Sequence, residues 1–495
     1  MREESRTGLH VALGSLAALV LASSGCSVVT HYKKPDVPVP EHFQAASTST
    51  EPKLDEWWQG FADPQLRELV ARALQSNLDL KSAASRIRQA REQEVIADAA
   101  LLPSVGVSGA GVRLYSKSNP LASLSGGGAP AGGDSSSTNL HVYALALDAS
   151  WEIDLFGGAR SAIEAARANA EAQVWQLHDG EITLTAEVAN DYLALRALQA
   201  RHAITASSIA HEEELLQLVT ARQTAGLGNE VDVNQERTQL ARDAAQLPVL
   251  DAQEGATKNA LAVLLGEAPE TMLDELTPAS VPAESTPDVG RDLPPGLPSD
   301  LLRRRPDVRA AERRLAATTA DVGVAIAKLY PTFDLLAAAS FASSSPQGLL
   351  SARNFAALGI GDVMWPVFAA GKLRANVRAT EEERAQAYLA YQSSVLTALQ
   401  DAENAIIRCT TEERRLASLQ SYVSAASSTA HIAEDEYRDG IIDFTTVLTA
   451  SDSELDALDA LVQSRQALAQ DRVSLYKALG GGWKESDAAL PKEKH

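Results

Sequence analysis

Cysteine is almost absent from the chain, which carries only Cys26 and Cys409 in 495 residues. If Cys26 is consumed by the modification argued below, no disulfide can form within the chain, so an exported location implies no disulfide framework. Aromatic residues are scarce too, at 5%, and alanine supplies much of the 45% apolar content. Small side chains let helix backbones approach and cost little rotamer entropy. An alanine-rich chain with abundant Glu, Arg, Gln and Leu therefore predicts long helices packed closely side by side. Positive charge is in deficit, with a formal net charge of -21. That excludes a phosphate-binding surface of clustered Lys and Arg, and with it nucleic acid. The only basic run, Arg303-Arg304-Arg305, is neighboured by Asp300 and Asp307 and reads as a solvated helix start.

Reactive constellations are missing as well. The nine histidines are scattered, and none pairs with another at metal-ligand spacing on a helix. There is no phosphate loop and no Gly-x-Ser-x-Gly elbow. The Gly-rich stretch over 126–133 lacks a lysine and reads as surface loop. No catalytic residue, metal or cofactor is expected, and the chain does not read as an enzyme. Beyond the N-terminus no stretch approaches eighteen apolar residues, so any later membrane crossing must be made by strands.

What is present begins with a leader. Val11 to Ala22 is short and apolar, too short to span a bilayer, and Ser23-Ser24-Gly25-Cys26 follows it. Residues 1–25 read as a signal peptide cleaved before Cys26. A cysteine at that point resembles the lipobox of bacterial lipoproteins, which implies a diacylated thiol and an acylated new N-terminus at Cys26. Ser23 stands where such motifs usually carry leucine. Several acyl chains anchor firmly where one anchors marginally, and Ser27 in place of aspartate resembles an outer-membrane address.

Self-comparison reveals a duplication. Asn77 to Pro103 aligns without gaps on Arg305 to Pro331, an offset of 228 that matches Asp79 to Asp307 and Arg86 to Arg314. Further on the offset becomes 214, with Trp151 on Trp365, Gly157 on Gly371, Asn190 on Asn404 and Gly226 on Gly440. The difference falls between Pro103 and Trp151, where the first half carries a longer flexible loop. The predicted organisation is an extended segment over 26–62, a first repeat over 63–266, a linker over 267–298, a second repeat over 299–480 and a tail over 481–495.

Each repeat opens with a helix of about thirty residues ended by its proline, followed by a strand pair over 103–153 or 331–368. Tyr143, Leu145, Leu147, Trp151 and Ile153 alternate with Asp148, Ser150 and Glu152. Phe333, Leu335, Phe341, Val363, Trp365 and Val367 likewise oppose Asp334 and Asp362. Strands with one face in lipid and one in a polar lumen show this pattern, as would a soluble sandwich. A long helix follows, Ala159 to Thr224 in the first half, about 1.5 Å per residue and so roughly 100 Å. Val174, Leu177, Leu184, Val188, Leu195 and Leu198 form a coiled-coil seam, matched by Tyr388, Tyr391, Val395, Ala398, Ala402 and Cys409. Four strands cannot close a barrel. Two chains give eight strands with a filled interior, and three give twelve with an open lumen.

Several motifs also carry a family resemblance. They are Cys26 with Tyr32, Lys33 and Pro35; Trp57-Trp58-Gln59 with Phe61, Asp63-Pro64 and Leu66; and Trp151 through Gly157. Leu261 through Gly266 and Gly296 through Pro331 complete the set. Together they resemble the outer-membrane factors, in the lipoprotein branch often called NodT-type. The resemblance implies a mainly helical, internally duplicated TolC-like fold with a membrane β-barrel. Four strands per chain would give a twelve-stranded trimeric barrel above a coiled-coil tunnel, with a mixed belt near 267–298 and after Gly480. The implied function is a passive exit duct for drugs, solvents or metal ions, working with a periplasmic adaptor and an inner-membrane pump. Protein secretion and a structural periplasmic bridge are the alternatives.

The resemblance places the gate and adaptor contact where the helical hairpins turn, near 226 and 440. Arg222, Gly226, Leu227 and Asp232 are its candidates on the first hairpin. Tyr437, Arg438, Asp439, Gly440 and Asp443 are those on the second. Tyr437 matches a latch tyrosine, whereas Thr446 and Thr449 stand where the family usually has aspartates. Asp148 and Asp362 are expected to face the lumen, with Trp151 and Trp365 at the bilayer's periplasmic edge.

Overall fold

The computed structural model describes residues 32–38, 40, 54–61, 63–116, 138–272, 276 and 304–483. The leader, Cys26, the Gly-rich loop and most of the linker over 267–298 and the tail over 481–495 lie outside the described residues. In chain order the helices are α1 (Pro64–Ser76), α2 (Leu78–Ala99), α3 (Gly158–Thr224), α4 (Glu230–Ala244) and α5 (Leu247–Leu264). They continue with α6 (Pro306–Ala327), α7 (Lys372–Arg438) and α8 (Phe444–Ala478). The strands are β1 (Ser104–Ser116), β2 (Thr138–Glu152), β3 (Thr332–Ser343) and β4 (Phe355–Met364). The spans α6, β3 and α7 repeat α2, β1 and α3 at the offsets read from the sequence, β4 repeats the middle of β2, and α8 covers the counterparts of both α4 and α5.

The chain divides into two compact units. The first comprises the described residues within Gln89–Ala170 and Arg313–Tyr388, with 32–34. Its strands form one antiparallel sheet in the order β1-β2-β3-β4. The opening helices are 22 residues long and stop at Ala99 and Ala327, shorter than the thirty expected. Residues ahead of a proline are pushed out of the helical region, so the chain unwinds through short i to i−3 bonds at Ala100, Leu101 and Leu102 before Pro103. The two repeat-equivalent tryptophans then do the same work. Trp151 Nε1 donates to the Leu101 carbonyl at 2.9 Å, and Trp365 Nε1 donates to the Leu329 carbonyl at 3.2 Å. Each indole thereby fastens a strand end to the helix exit.

The second unit holds the described residues within Pro35–Arg88, Glu171–Glu312 and Leu389–His495. Tyr192, Leu193, Leu195, Leu66, Leu69, Ile87 and Leu261 are fully buried in its largest core. Tyr192 donates from its hydroxyl to Asp63 at 2.6 Å and accepts from Arg196 at 2.9 Å. Cys409 sits in a second core with Ala402, Ala405 and Leu475. Burial, with Asp471 adding to it, pushes its thiol up to about 12, so it is an apolar seam residue. One expectation fails here. Arg305 is not solvated, because it is almost buried and pairs with Asp307 at 2.6 Å and Asp401 at 3.0 Å. The helix does start there, but its last arginine turns inward to carboxylates that the local sequence only half reveals.

Candidate functional site

At the hairpin turns, both long helices end in the same motif. Leu227 N–H donates to the Arg222 carbonyl and Gly226 N–H to that of Gln223. Ile441 and Gly440 repeat this with Glu436 and Tyr437. Such a reversal needs a left-handed residue, and Gly226 and Gly440 both stand at φ +76. Leu227 and Ile441 are left exposed, at 71% and 69%. Behind the turns Leu215, Val219, Val233, Ala430, Ala433, Tyr437, Phe444 and Val447 form one apolar cluster, so the two hairpins share a core.

Arg222 is the tie between them. Its guanidinium lies 4.8 Å from the Tyr437 ring centre, and Nη1 donates to the Arg438 carbonyl at 2.9 Å. Tyr437 is buried against Phe444, and among the described residues its hydroxyl makes no well-formed hydrogen bond, with the Arg222 guanidinium close by. Burial, and after it the charge of Asp232, raises the pKa of that hydroxyl, while the Arg222 guanidinium pulls the other way. Arg438 directs its side chain back along its own helix, to Glu434 and to Asp435 at 3.3 Å. Asp439 and Asp443 stay exposed on the turn, and Asp443 makes no side-chain cap to α8. The geometry thus gathers Arg222, Tyr437, the Arg438 backbone and Gly440, with the charge of Asp232 felt at Tyr437.

The sheet brings a second set together. Glu152 pairs with Asp334 and Asp334 with Asp362, so three carboxylates cross β2, β3 and β4 in one row. Asp148, on the same face, is flanked by Gly106 and Ala338. A methyl group at Gly106 would lie 3.0 Å from Asp148 Oδ2, so the glycine makes room for the carboxylate. The opposite face carries Val105, Val107, Leu147, Leu335 and Val363, all exposed, together with Trp151. The carboxylate face is polar mainly at the strand ends nearest the helices. Further along it presents Val112, Leu336, Leu358 and Ile360.

Sequence reasoning passed over an acidic group on α3, α4 and α8, formed by the buried Glu212, Glu236 and Asp243 and the half-exposed Asp452. Glu236 and Asp243, one heptad apart and aligned with the buried Val233, were the available signal.

A family model described as outer membrane efflux protein matches residues 69–267 and 297–481. The pyoverdine export outer membrane protein OpmQ of Pseudomonas aeruginosa is 33% identical over 482 residues, 96% of this chain and 98% of that protein. The toluene efflux pump outer membrane protein TtgC of Pseudomonas putida is 30% identical over 478 residues, 95% and 96% of the two chains. Among solved structures, the outer-membrane channel OprN is 34% identical with a TM-score of 0.83, over 92% of this chain and all of that one.

Proposed function

The chain belongs to the outer membrane efflux protein family, and on that premise we propose that three copies close their sheets into one twelve-stranded barrel that opens into a gated duct. It is the outer-membrane channel of a tripartite efflux system, a transport duct and not an enzyme, with a large periplasmic helical part. Its partners are therefore an adaptor and an inner-membrane pump. The observation that carries the barrel is the four-stranded sheet itself. Among the described residues β1 and β4 each lack a second neighbour, and the face opposite the carboxylates is exposed and apolar. Open edges demand strands from elsewhere, an apolar face demands lipid, and twelve strands leave a lumen.

In this reading Asp148 and Asp362 look into the lumen, and Trp151 and Trp365 mark the periplasmic edge of the bilayer. The cargo is a small molecule handed over by the pump; relatives named for pyoverdine export and toluene efflux support that size class. Cys26 carries the lipid anchor. Mass spectrometry of the mature protein is expected to find an acylated Cys26 at the N-terminus, and an unmodified peptide running upstream of it would refute the anchor.

The resting gate is the hairpin tip, held by Arg222 on Tyr437. Arg438, Asp439, Asp443, Leu227 and the turn glycines line the surface that meets the adaptor. A cation over an aromatic ring contributes about 0.5–1 kcal/mol at an exposed site, so losing it shifts the opening equilibrium about two- to fivefold per protomer. In planar bilayers the wild-type protein should show a small conductance, and Arg222→Ala a clearly larger one. Equal conductances would remove Arg222 from the gate. No conductance from either protein would overturn the duct.

A further inference from the structure

Behind the tip, one buried group takes no part in the duct or its gate. Glu212 on α3 and Glu236 and Asp243 on α4 are 3%, 0% and 3% exposed, and Asp452 of α8 lies against them. Among the described residues Arg242 brings the one cation that pairs with them, 3.3 Å from Asp243 and 2.6 Å from Asp452. Gln239 donates to the same two residues. Glu212 and Glu236 receive no such partner among the described residues: neither oxygen of Glu236, nor Oε2 of Glu212, has a hydrogen bond there. Glu212 also lies within hydrogen-bonding reach of Asp243, and two carboxyls sustain that only while one keeps its proton. Other charges nearby are engaged or turned away. Glu213, Glu214 and Arg237 are exposed. On α7, Glu434 takes Arg438 and, at 3.7 Å, His211.

We propose that this carboxyl cluster is a proton-operated latch, which holds α4 against α3 and α8 while protonated and drives α4 away when it ionises. An unpaired buried carboxylate is costly, so Glu212 and Glu236 stay neutral until pH overcomes their burial. Burial first, then Asp243, raises Glu212 to about 8, and burial with the Asp243 charge raises Glu236 to about 7. The folded chain therefore binds these protons more tightly than the unfolded chain does. Packing is firmest at the acid end, weakens as pH climbs from the ordinary value of 4.5, and loses this contribution by about 8. The latch concerns packing within one protomer and is independent of the duct reading.

Spin labels on the exposed positions Arg237→Cys of α4 and Asp456→Cys of α8 would report the separation. The labelled full-length protein is diluted with unlabelled protein, so that only distances within a protomer are read. The expected result is a single short distance at about pH 6 and a growing longer component towards about pH 9. Half-conversion should fall between about 7 and about 8. Glu212→Gln with Glu236→Gln mimics the protonated cluster and should hold the short distance throughout. An unchanged wild-type distribution, or the same pH response in the double variant, overturns the latch. If the double variant does not fold, Glu236→Gln alone decides, and an undiminished response overturns it. These distances are read whether or not the protein conducts, so failure of the duct would show only in bilayer recordings.

Discussion

Replacing Tyr437 with alanine should release the hairpin tip. The ring is 4% exposed, packs at 5.2 Å on Phe444 and carries Arg222 on its other contact. Truncating a buried aromatic costs about 3–5 kcal/mol, from lost transfer energy and the cavity left behind. That loss is concentrated in one small apolar cluster, so it should appear as local opening of the tip before global unfolding. Trypsin cutting after Arg222 and Arg438 should then accelerate about a hundredfold, and bilayer conductance should rise beyond that of Arg222→Ala. Tyr437→Phe is the informative companion. Its buried hydroxyl makes no well-formed hydrogen bond among the described residues, so removing it should cost little. If phenylalanine opened the tip as far as alanine does, the hydroxyl would have to bond to a neighbouring protomer, and closure would rest on that bond.

A second large effect is expected at Gly266, which ends α5 at φ +71. A methyl group there would lie 2.8 Å from the Ser76 carbonyl oxygen. That carbonyl cannot easily move, because Asn77 holds the junction of α1 and α2. Its side chain donates to the Leu264 carbonyl at 2.9 Å and accepts from the Asp79 and Leu80 amides. Gly266→Val adds about 1–2 kcal/mol of left-handed strain and about 1–3 kcal/mol of overpacking. Gly226→Val is the control, with nearly the same φ of +76 and nothing within 4 Å of the added atom. Denaturant unfolding should therefore show Gly266→Val losing about twice the stability that Gly226→Val loses. Equal losses would mean that the Ser76 backbone yields and only the strain matters.

Much of this architecture was legible because it repeats. Two offsets located corresponding helices, strand pairs and turns, and Gly226 and Gly440 announced the reversals through a conformation other residues avoid. Alternation identified which strand residues share a face, since period two survives any uncertainty about strand ends. The rest depended on partners distant in sequence. Arg305 looked solvated because charge runs usually are, yet Asp401 lies 96 residues away. Asn77 breaks the opening helices by capping α2, and a polar residue within a helical pattern gives little warning of that. Glu212 and Glu236 were passed over, since burial of a carboxylate arises only when three helices converge. At the gate, Tyr437 stood out by resemblance, but its contact with Arg222 exists only once both hairpins turn at the same level.

The two return segments, 230–264 and 444–478, are equivalent by the offset of 214, yet they differ mechanically. α8 is an unbroken rod of 35 residues. Its counterpart is jointed between α4 and α5, where Pro248 at the start of α5 has no amide to give the preceding turn and its ring crowds that turn's carbonyl. Under load, a continuous rod resists bending along its whole length, whereas a jointed one yields at a single point. Each protomer thus pairs a stiff strut with a hinged one, and a pull on the tip would be transmitted through α8 while the bend collects at Ala245 and Gln246.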